Sequence, residues 1–219
     1  DCDGNVDLGC GCGEAGPSGC DDACGSTLVD DDCGVCGGDG TSCLASLSLG
    51  AFDASGSLEV LYNFGSDVAG FQFDVSGLAL TGGSGGAAGD AGFNVSTGAE
   101  TVIGFSFSGA TVPAGSGVLT VLEFSSVTAG STALSLGNFG TVTAADGSTF
   151  DTSASGSVNH GDPDCAGVYY GDSSLDDCGV CDGGNADDLG CGCFEAGPSG
   201  CDDACGSTLE FDECGECGG

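Results

Sequence analysis

The 219-residue sequence sets no lysine or arginine against 34 acidic residues, a formal charge of -34, and it contains 17 cysteines and 46 glycines. A balance this one-sided excludes side-chain ion pairs except through the single histidine, His160, and it repels nucleic acid and anionic lipid head groups, whose binding draws on cationic side chains. Apolar residues at 40% and a positive mean hydropathy argue against disorder over most of the length.

Cysteine usage at this level reads as a disulfide framework made in an oxidising compartment, so the chain is expected to be extracellular or at the cell surface. It begins at Asp1 and reads as a processed secreted polypeptide or a segment of a longer one. No apolar run is long enough for membrane insertion.

The fifteen residues from Glu14 to Leu28, EAGPSGCDDACGSTL, recur letter for letter from Glu195 to Leu209. The offset of 181 carries Asp7–Gly38 onto Asp188–Gly219 without a gap. Cys10, Cys12, Cys20, Cys24, Cys33 and Cys36 therefore recur as Cys191, Cys193, Cys201, Cys205, Cys214 and Cys217. Three regions follow: a Cys-rich acidic segment at 1–43, a cysteine-free region at 44–160, and a second Cys-rich acidic segment at 161–219 in which 182–219 duplicates 1–38.

Residues 1–43 show neither helical nor strand periodicity, so loops and tight turns are expected, held by bridges and ions rather than by a core. The disulfide framework is assigned to Cys10, Cys12, Cys20, Cys24, Cys33, Cys36 and Cys43, and in the second segment to Cys165, Cys178, Cys181, Cys191, Cys193, Cys201, Cys205, Cys214 and Cys217. The short spacings leave the pairing open. Cys2 aligns with Gly183 and has no partner implied by the repeat. With an odd total, its sulfur is either free or bridged to another copy, and the bridge is the favoured reading.

From residue 44 the texture changes. Leu58, Val60 and Tyr62 alternate with polar residues, as do Phe71, Phe73 and Val75, and Val118, Thr120, Leu122 and Phe124. Such alternation, bounded by Gly, Ser and Asp, predicts half-buried strands at 44–49, 57–64, 69–76, 91–96, 101–108, 117–125, 132–137, 139–144 and 148–159. Nine short strands with glycine-rich turns imply an all-β sandwich or jelly roll. The run Val68 to Gly77 (VAGFQFDVSG), then Phe105 to Ser108, then Gly117-Val118-Leu119 leading to Leu122 and Phe124, resembles the cohesin family across 44–160. The resemblance implies a nine-stranded jelly roll; it places no contact residues, so the fold carries over and the partner does not. The phrases DDCGVCGGDGTSC (Asp31 to Cys43) and DDCGVCDGGN (Asp176 to Asn185) are similar in kind to thrombospondin type-3 repeats, which implies calcium ions wired by disulfides.

Asp1, Asp3, Asn5 and Asp7, with Gly4 between them, place oxygens at alternate positions over a glycine turn, the kind of loop a hard cation favours. Further acidic clusters lie at Asp21/Asp22, Asp30 to Asp32, Asp162/Asp164, Asp172/Asp176/Asp177, Asp187/Asp188, Asp202/Asp203 and Glu210/Asp212/Glu213. A solvated acidic surface is the plain alternative, but with no cationic side chain to neutralise them, several calcium ions are the expected cofactor. The recurring C-x2-C could instead hold zinc, yet nearby histidines are missing. His160 in SVNHGDPD has no partner for a triad, and a linker role or occasional metal ligation is expected of it. Glu59, Glu100 and Glu123 could supply a carboxylate pair for sugar hydrolysis, but there is no Trp to stack a sugar ring. No enzymatic activity is expected. Asn94-Val95-Ser96 is an N-glycosylation sequon.

Together these features predict an extracellular structural protein, a homopolymer joined head to tail into a filament or stalk through its duplicated ends. The alternative is an adhesive module whose sandwich recruits a dockerin-like protein or carbohydrate.

Overall fold

Apolar–polar alternation through the cysteine-free region becomes two packed sheets. The computed structural model describes residues 7–11 and 13–219; the expectations placed on Asp1, Cys2, Asp3, Asn5 and Cys12 lie outside the described residues. The chain divides into two compact units, Asp1–Asn159 and His160–Gly219.

In the first unit a small hairpin, β1 (Pro17–Ser18) and β2 (Ala23–Cys24), precedes the sandwich. The sandwich opens with β3 (Leu44–Asp53), β4 (Ser57–Phe64), β5 (Val68–Ser76) and β6 (Leu78–Ser84). A one-turn helix α1 (Gly86–Asp90) leads into β7 (Asn94–Thr97), β8 (Thr101–Phe105) and β9 (Gly115–Val127). Then come β10 (Ser131–Ser135), β11 (Thr141–Ala144), β12 (Asp151–Ser155) and β13 (Ser157–Asn159). The second unit contains one hairpin, β14 (Pro198–Ser199) and β15 (Ala204–Cys205).

One sheet runs β12-β3-β4-β9-β6 and the other β13-β10-β5-β8-β7. β10 and β11 share one edge of β5, β10 beside Asp74–Ser76 and β11 beside residues 68–72. Pairing is antiparallel except where β12 returns parallel to β3, Asp151 opposite Leu44 and Ser155 opposite Ser48. The sandwich has eleven strands rather than the nine predicted. β6 was not predicted because LALTGGS does not alternate; it follows β9 through two register shifts. The stretch 148–159 divides at Gly156, where the chain leaves one sheet as β12 and joins the other as β13.

Burial follows the alternation. Phe71, Phe73, Val75, Val102, Leu134 and Val142 from one sheet meet Leu47, Leu58, Val60, Phe64, Leu119 and Leu122 from the other. Each such side chain contributes roughly 1.5–3 kcal/mol on burial, which gives this region a stabilising core that the cysteine-rich segments lack. Phe71 stacks on Phe73 and Phe93 with ring centroids 5.8 and 5.9 Å apart. It lies across Gly104 of β8, where an added Cβ would sit within 2.6 Å of three Phe71 ring atoms. Only glycine lets the ring approach the sheet there.

The N-terminal segment is fastened to the sandwich where β3 and β12 begin. The Cys43 carbonyl accepts the Asp151 N–H at 2.8 Å, and the Ser66 hydroxyl donates to the Ser42 carbonyl at 2.7 Å. Gly65 lies so close to the Thr41 backbone that any side chain there would collide with it.

Gly104→Ala is expected to destabilise the sandwich by about 1–3 kcal/mol, because Phe71 must leave its position. Gly89→Ala, with open space around it, is expected to stay within about 0.5 kcal/mol of the parent. Urea unfolding followed by tyrosine fluorescence checks both.

Candidate functional site

Four copies of one loop account for much of the acidic composition. Each begins with an aspartate that closes on the backbone downstream of it. Asp31 Oδ1 accepts the N–H groups of Cys33 and Val35 at 2.9 and 2.8 Å, and its Oδ2 accepts that of Gly40 at 2.8 Å. Asp164 does the same with Ala166, Val168 and Ser173, and Asp176 with Cys178, Val180 and Asn185. Asp212 takes the amides of Cys214 and Glu216, both at 2.8 Å.

In every copy the aspartate N–H also bonds the carbonyl four residues on, and its own carbonyl accepts the N–H three residues on. The donor of that last bond is Gly34, Gly167, Gly179 or Gly215, all with φ between 75° and 82°. Left-handed backbone at that point is what makes glycine the fitting residue. Asp7 and Asp188, related by the duplication, are simpler relatives: Asp7 accepts Gly9 and Gly11, and Asp188 accepts Gly190 and Gly192.

At four of these aspartates the amides favour the ionised carboxylate. The pKa of Asp31 is lowered chiefly by the N–H of Val35, that of Asp164 by Val168 and that of Asp176 by Val180. Asp7 is lowered by Gly9 and then Gly11. In the duplicated hairpins Asp21 and Asp202 are lowered by the hydroxyls of Ser26 and Ser207.

Disulfides run through the same loops as a staggered ladder. Cys10 bonds Cys24, Cys20 bonds Cys36, and Cys33 bonds Cys43. In the second unit the pairs are Cys165–Cys181, Cys178–Cys193, Cys191–Cys205 and Cys201–Cys217. Each span overlaps the next, and a bridge closing a loop of this size contributes about 3 kcal/mol by restricting the unfolded chain. The C-x2-C pairs divide their sulfurs: Cys36 reaches back to Cys20 while Cys33 reaches forward to Cys43. Sulfurs so bonded offer no thiolate to zinc. Cys214, expected within the framework, instead carries a free and exposed thiol. Its duplicate Cys33 is bridged to Cys43.

Of the carboxylates predicted to ligate metal, Asp7, Asp164, Asp176 and Asp212 are these caps, and Asp21 and Asp202 sit in the hairpin turns. Asp177 accepts the Asn185 side-chain amide at 2.9 Å. Asp22, Asp30, Asp32, Asp162, Asp172 and Asp203 are exposed, and Asp187 is half-buried. Among the described residues, candidate ligands gather in threes at Cys20, Asp30 and Cys36 and at Cys165, Cys181 and Asp182; in both, the two sulfurs are those of a disulfide. His160 is buried, its Nδ1 lies 2.8 Å from the Tyr170 hydroxyl, and burial lowers its pKa. Glu59 and Glu123 lie diagonally on the outer face of the β4–β9 pair, while Glu100 lies between β7 and β8 of the other sheet. No catalytic constellation is assembled from these residues.

The outer face of the second sheet is different in character. Its strands carry a single carboxylate, Asp74, which accepts the Thr101 hydroxyl at 2.8 Å. Across β11, β5, β8 and β7 the register sets Thr141, Gln72, Ile103 and Ser96 in one row and Thr143, Gly70, Phe105 and Asn94 in the next. Ile103 and Phe105 are 39% and 37% exposed, and Phe107, just past the end of β8, is 84% exposed. The Phe105 and Phe107 rings meet edge to face at 4.8 Å. Sequence reasoning did not single out this stripe, although β8 shows its signal: apolar side chains on both faces, with Val102 inward and Ile103 and Phe105 outward.

No protein-family model matches the sequence, and no curated protein matches it. Two cohesins are among the solved structures similar to it. A non-cellulosomal cohesin from the hyperthermophilic archaeon Archaeoglobus fulgidus aligns with TM-score 0.39 and 17% identity over 52% of this chain and 89% of that one. The novel type I cohesin–dockerin complex Coh-OlpA-Doc918 from Clostridium thermocellum aligns with TM-score 0.39 and 15% identity over 53% and 98%.

The capped loops have a defined acid limit. A carboxylate whose folded pKa is depressed contributes stability that is complete above its unfolded value, about 3.9, and is lost as pH falls through the lower folded value. Acidification below about pH 4 is therefore expected to release the amides of Val35, Val168 and Val180 while the sandwich amides stay protected. Asp176→Ala should release Val180 at neutral pH and leave Val168 unaffected. Residue-resolved hydrogen exchange reads both.

Proposed function

We propose that the chain is an extracellular, non-enzymatic binding module whose sandwich docks a protein partner on the outer face of β11, β5, β8 and β7. One observation carries this reading: in a chain of charge -34, an exposed apolar stripe lies on a sheet that bears one carboxylate. Apolar surface flanked by hydroxyls and amides is inexpensive to desolvate, and a single-sign charged surface is not. Contiguous exposed aromatics of this kind mark interaction sites.

A protein fits the face better than a sugar. The two phenylalanine rings stand edge to face, so they offer no flat floor for a pyranose, whereas edges and gaps of this sort receive apolar side chains. A dockerin-like protein is the proposed partner; the C. thermocellum structure pairs a cohesin with a dockerin. Calcium uptake by the acidic loops belongs to the same proposal. The exposed carboxylates of Asp22, Asp30, Asp32, Asp162, Asp172 and Asp203 would take up divalent counter-ions, while the loops themselves close on amides.

Self-assembly through the duplicated ends is a second reading, favoured by the letter-for-letter recurrence of Glu14–Leu28 as Glu195–Leu209. It predicts oligomers in sedimentation velocity at millimolar calcium. A monomer there would dismiss it.

For the binding reading, Phe105→Ser with Phe107→Ser is expected to weaken capture of a dockerin panel at least tenfold, or about 1.4 kcal/mol. Glu59→Gln with Glu123→Gln, on the opposite sheet, should leave capture unchanged. Equal losses from both double variants, or binding indifferent to the phenylalanines, would overturn it.

A further inference from the structure

We propose that Asn94 is an N-glycan acceptor and that the attached sugar stands beside the Phe105–Phe107 stripe, limiting access to it. Three independent features of β7 support the assignment. The sequon Asn94-Val95-Ser96 lies on the edge strand of its sheet, with β8 on one side and, among the described residues, no strand paired to the other. Strand alternation turns Val95 inward against the core and leaves Asn94 and Ser96 exposed. The Ser96 hydroxyl donates to Asn94 Oδ1 at 3.0 Å, which draws electron density toward the carbonyl oxygen and acidifies the amide Nδ2–H.

The transfer is a substitution at an anomeric carbon. Asn94 Nδ2 forms the new C–N bond to the first sugar of a lipid diphosphate-linked oligosaccharide, the sugar–phosphate C–O bond breaks, and the phosphate leaves with the electron pair. The amide proton passes to a base of the membrane-bound transferase. Secreted disulfide-rich chains pass through the compartment where such donors act.

Register then places the sugar. Asn94 is the cross-strand partner of Phe105, and directly paired residues project from the same face about 5 Å apart. A glycan there rises next to the apolar stripe, shields it from water and competes with a docking partner. This second half rests on the binding reading; the acceptor assignment does not.

The test uses the full chain secreted from a cell line with N-glycosylation machinery. Peptide mapping before and after amidase-type deglycosylation should find Asn94 glycosylated and then converted to aspartate. Ser96→Ala should abolish the modification and Ser96→Thr retain it. Asn94 peptides unmodified in both the parent and Ser96→Thr would overturn the assignment. For the second half, binding of a hydrophobic fluorescent dye should rise on deglycosylation, and that rise should vanish in Phe105→Ser with Phe107→Ser. Dye binding unchanged by deglycosylation would remove the shielding role. Because the mass readout involves no partner, failure of the dockerin panel leaves it standing.

Discussion

A chain with acceptors in excess and no cationic side chains must find its hydrogen-bond donors in the backbone and in neutral hydroxyls and amides. That constraint shapes both cysteine-rich segments. An aspartate can receive two or three N–H groups only if the following residues wrap around it, which requires left-handed glycines at a fixed distance and small residues where the strand passes back. Gly38, Gly171, Gly183 and Gly219 fill that last position; a side chain at any of them would meet the Oδ2 of Asp31, Asp164, Asp176 or Asp212. Charge and turn are one device at Asp31, Asp164 and Asp176: the amides around each carboxylate favour its ionised form, and the ionised carboxylate orders the amides. Disulfides then fasten each loop to the next, where a hydrophobic core would be too small to do so.

The sandwich solves its problem by other means. Its two sheets bury aliphatic and aromatic side chains against each other, and its second sheet keeps carboxylates away almost entirely. The acidic residues that repel one another are thus concentrated in segments with dedicated donors, and one broad face is left neutral enough to meet another molecule. The junction between the two kinds of structure in the first unit is covalent and local: the Cys33–Cys43 bridge ends one residue before β3, and the Cys43 carbonyl receives Asp151 of the returning strand.

Much of this was legible in the residues. Phe71-x-Phe73-x-Val75 and Leu58-x-Val60 gave strands because period-2 burial leaves a direct imprint on sequence. The letter-perfect duplication gave two hairpins of identical register, Pro17 opposite Cys24 and Pro198 opposite Cys205. Other features were not legible. Leu78–Ser84 pairs through bulges and so does not alternate. The staggered ladder could not be derived, since the division of each C-x2-C between two neighbours depends on how the loops stack. The capping role of Asp31 and Asp176 could not be read from composition, because a carboxylate followed by a glycine three residues on does not show where the amides will lie. The stripe at Ile103, Phe105 and Phe107 was not singled out, because which of its side chains face water depends on the register of β8.

The central claim is that backbone amides and disulfide bridges close the acidic loops. The direct measurement is hydrogen exchange on the oxidised chain at neutral pH after exhaustive chelation, compared with the same chain in millimolar calcium. The account predicts that the N–H groups of Val35, Val168, Val180 and Glu216 are protected alike in both conditions. Protection at those four amides that exists only with calcium would contradict it.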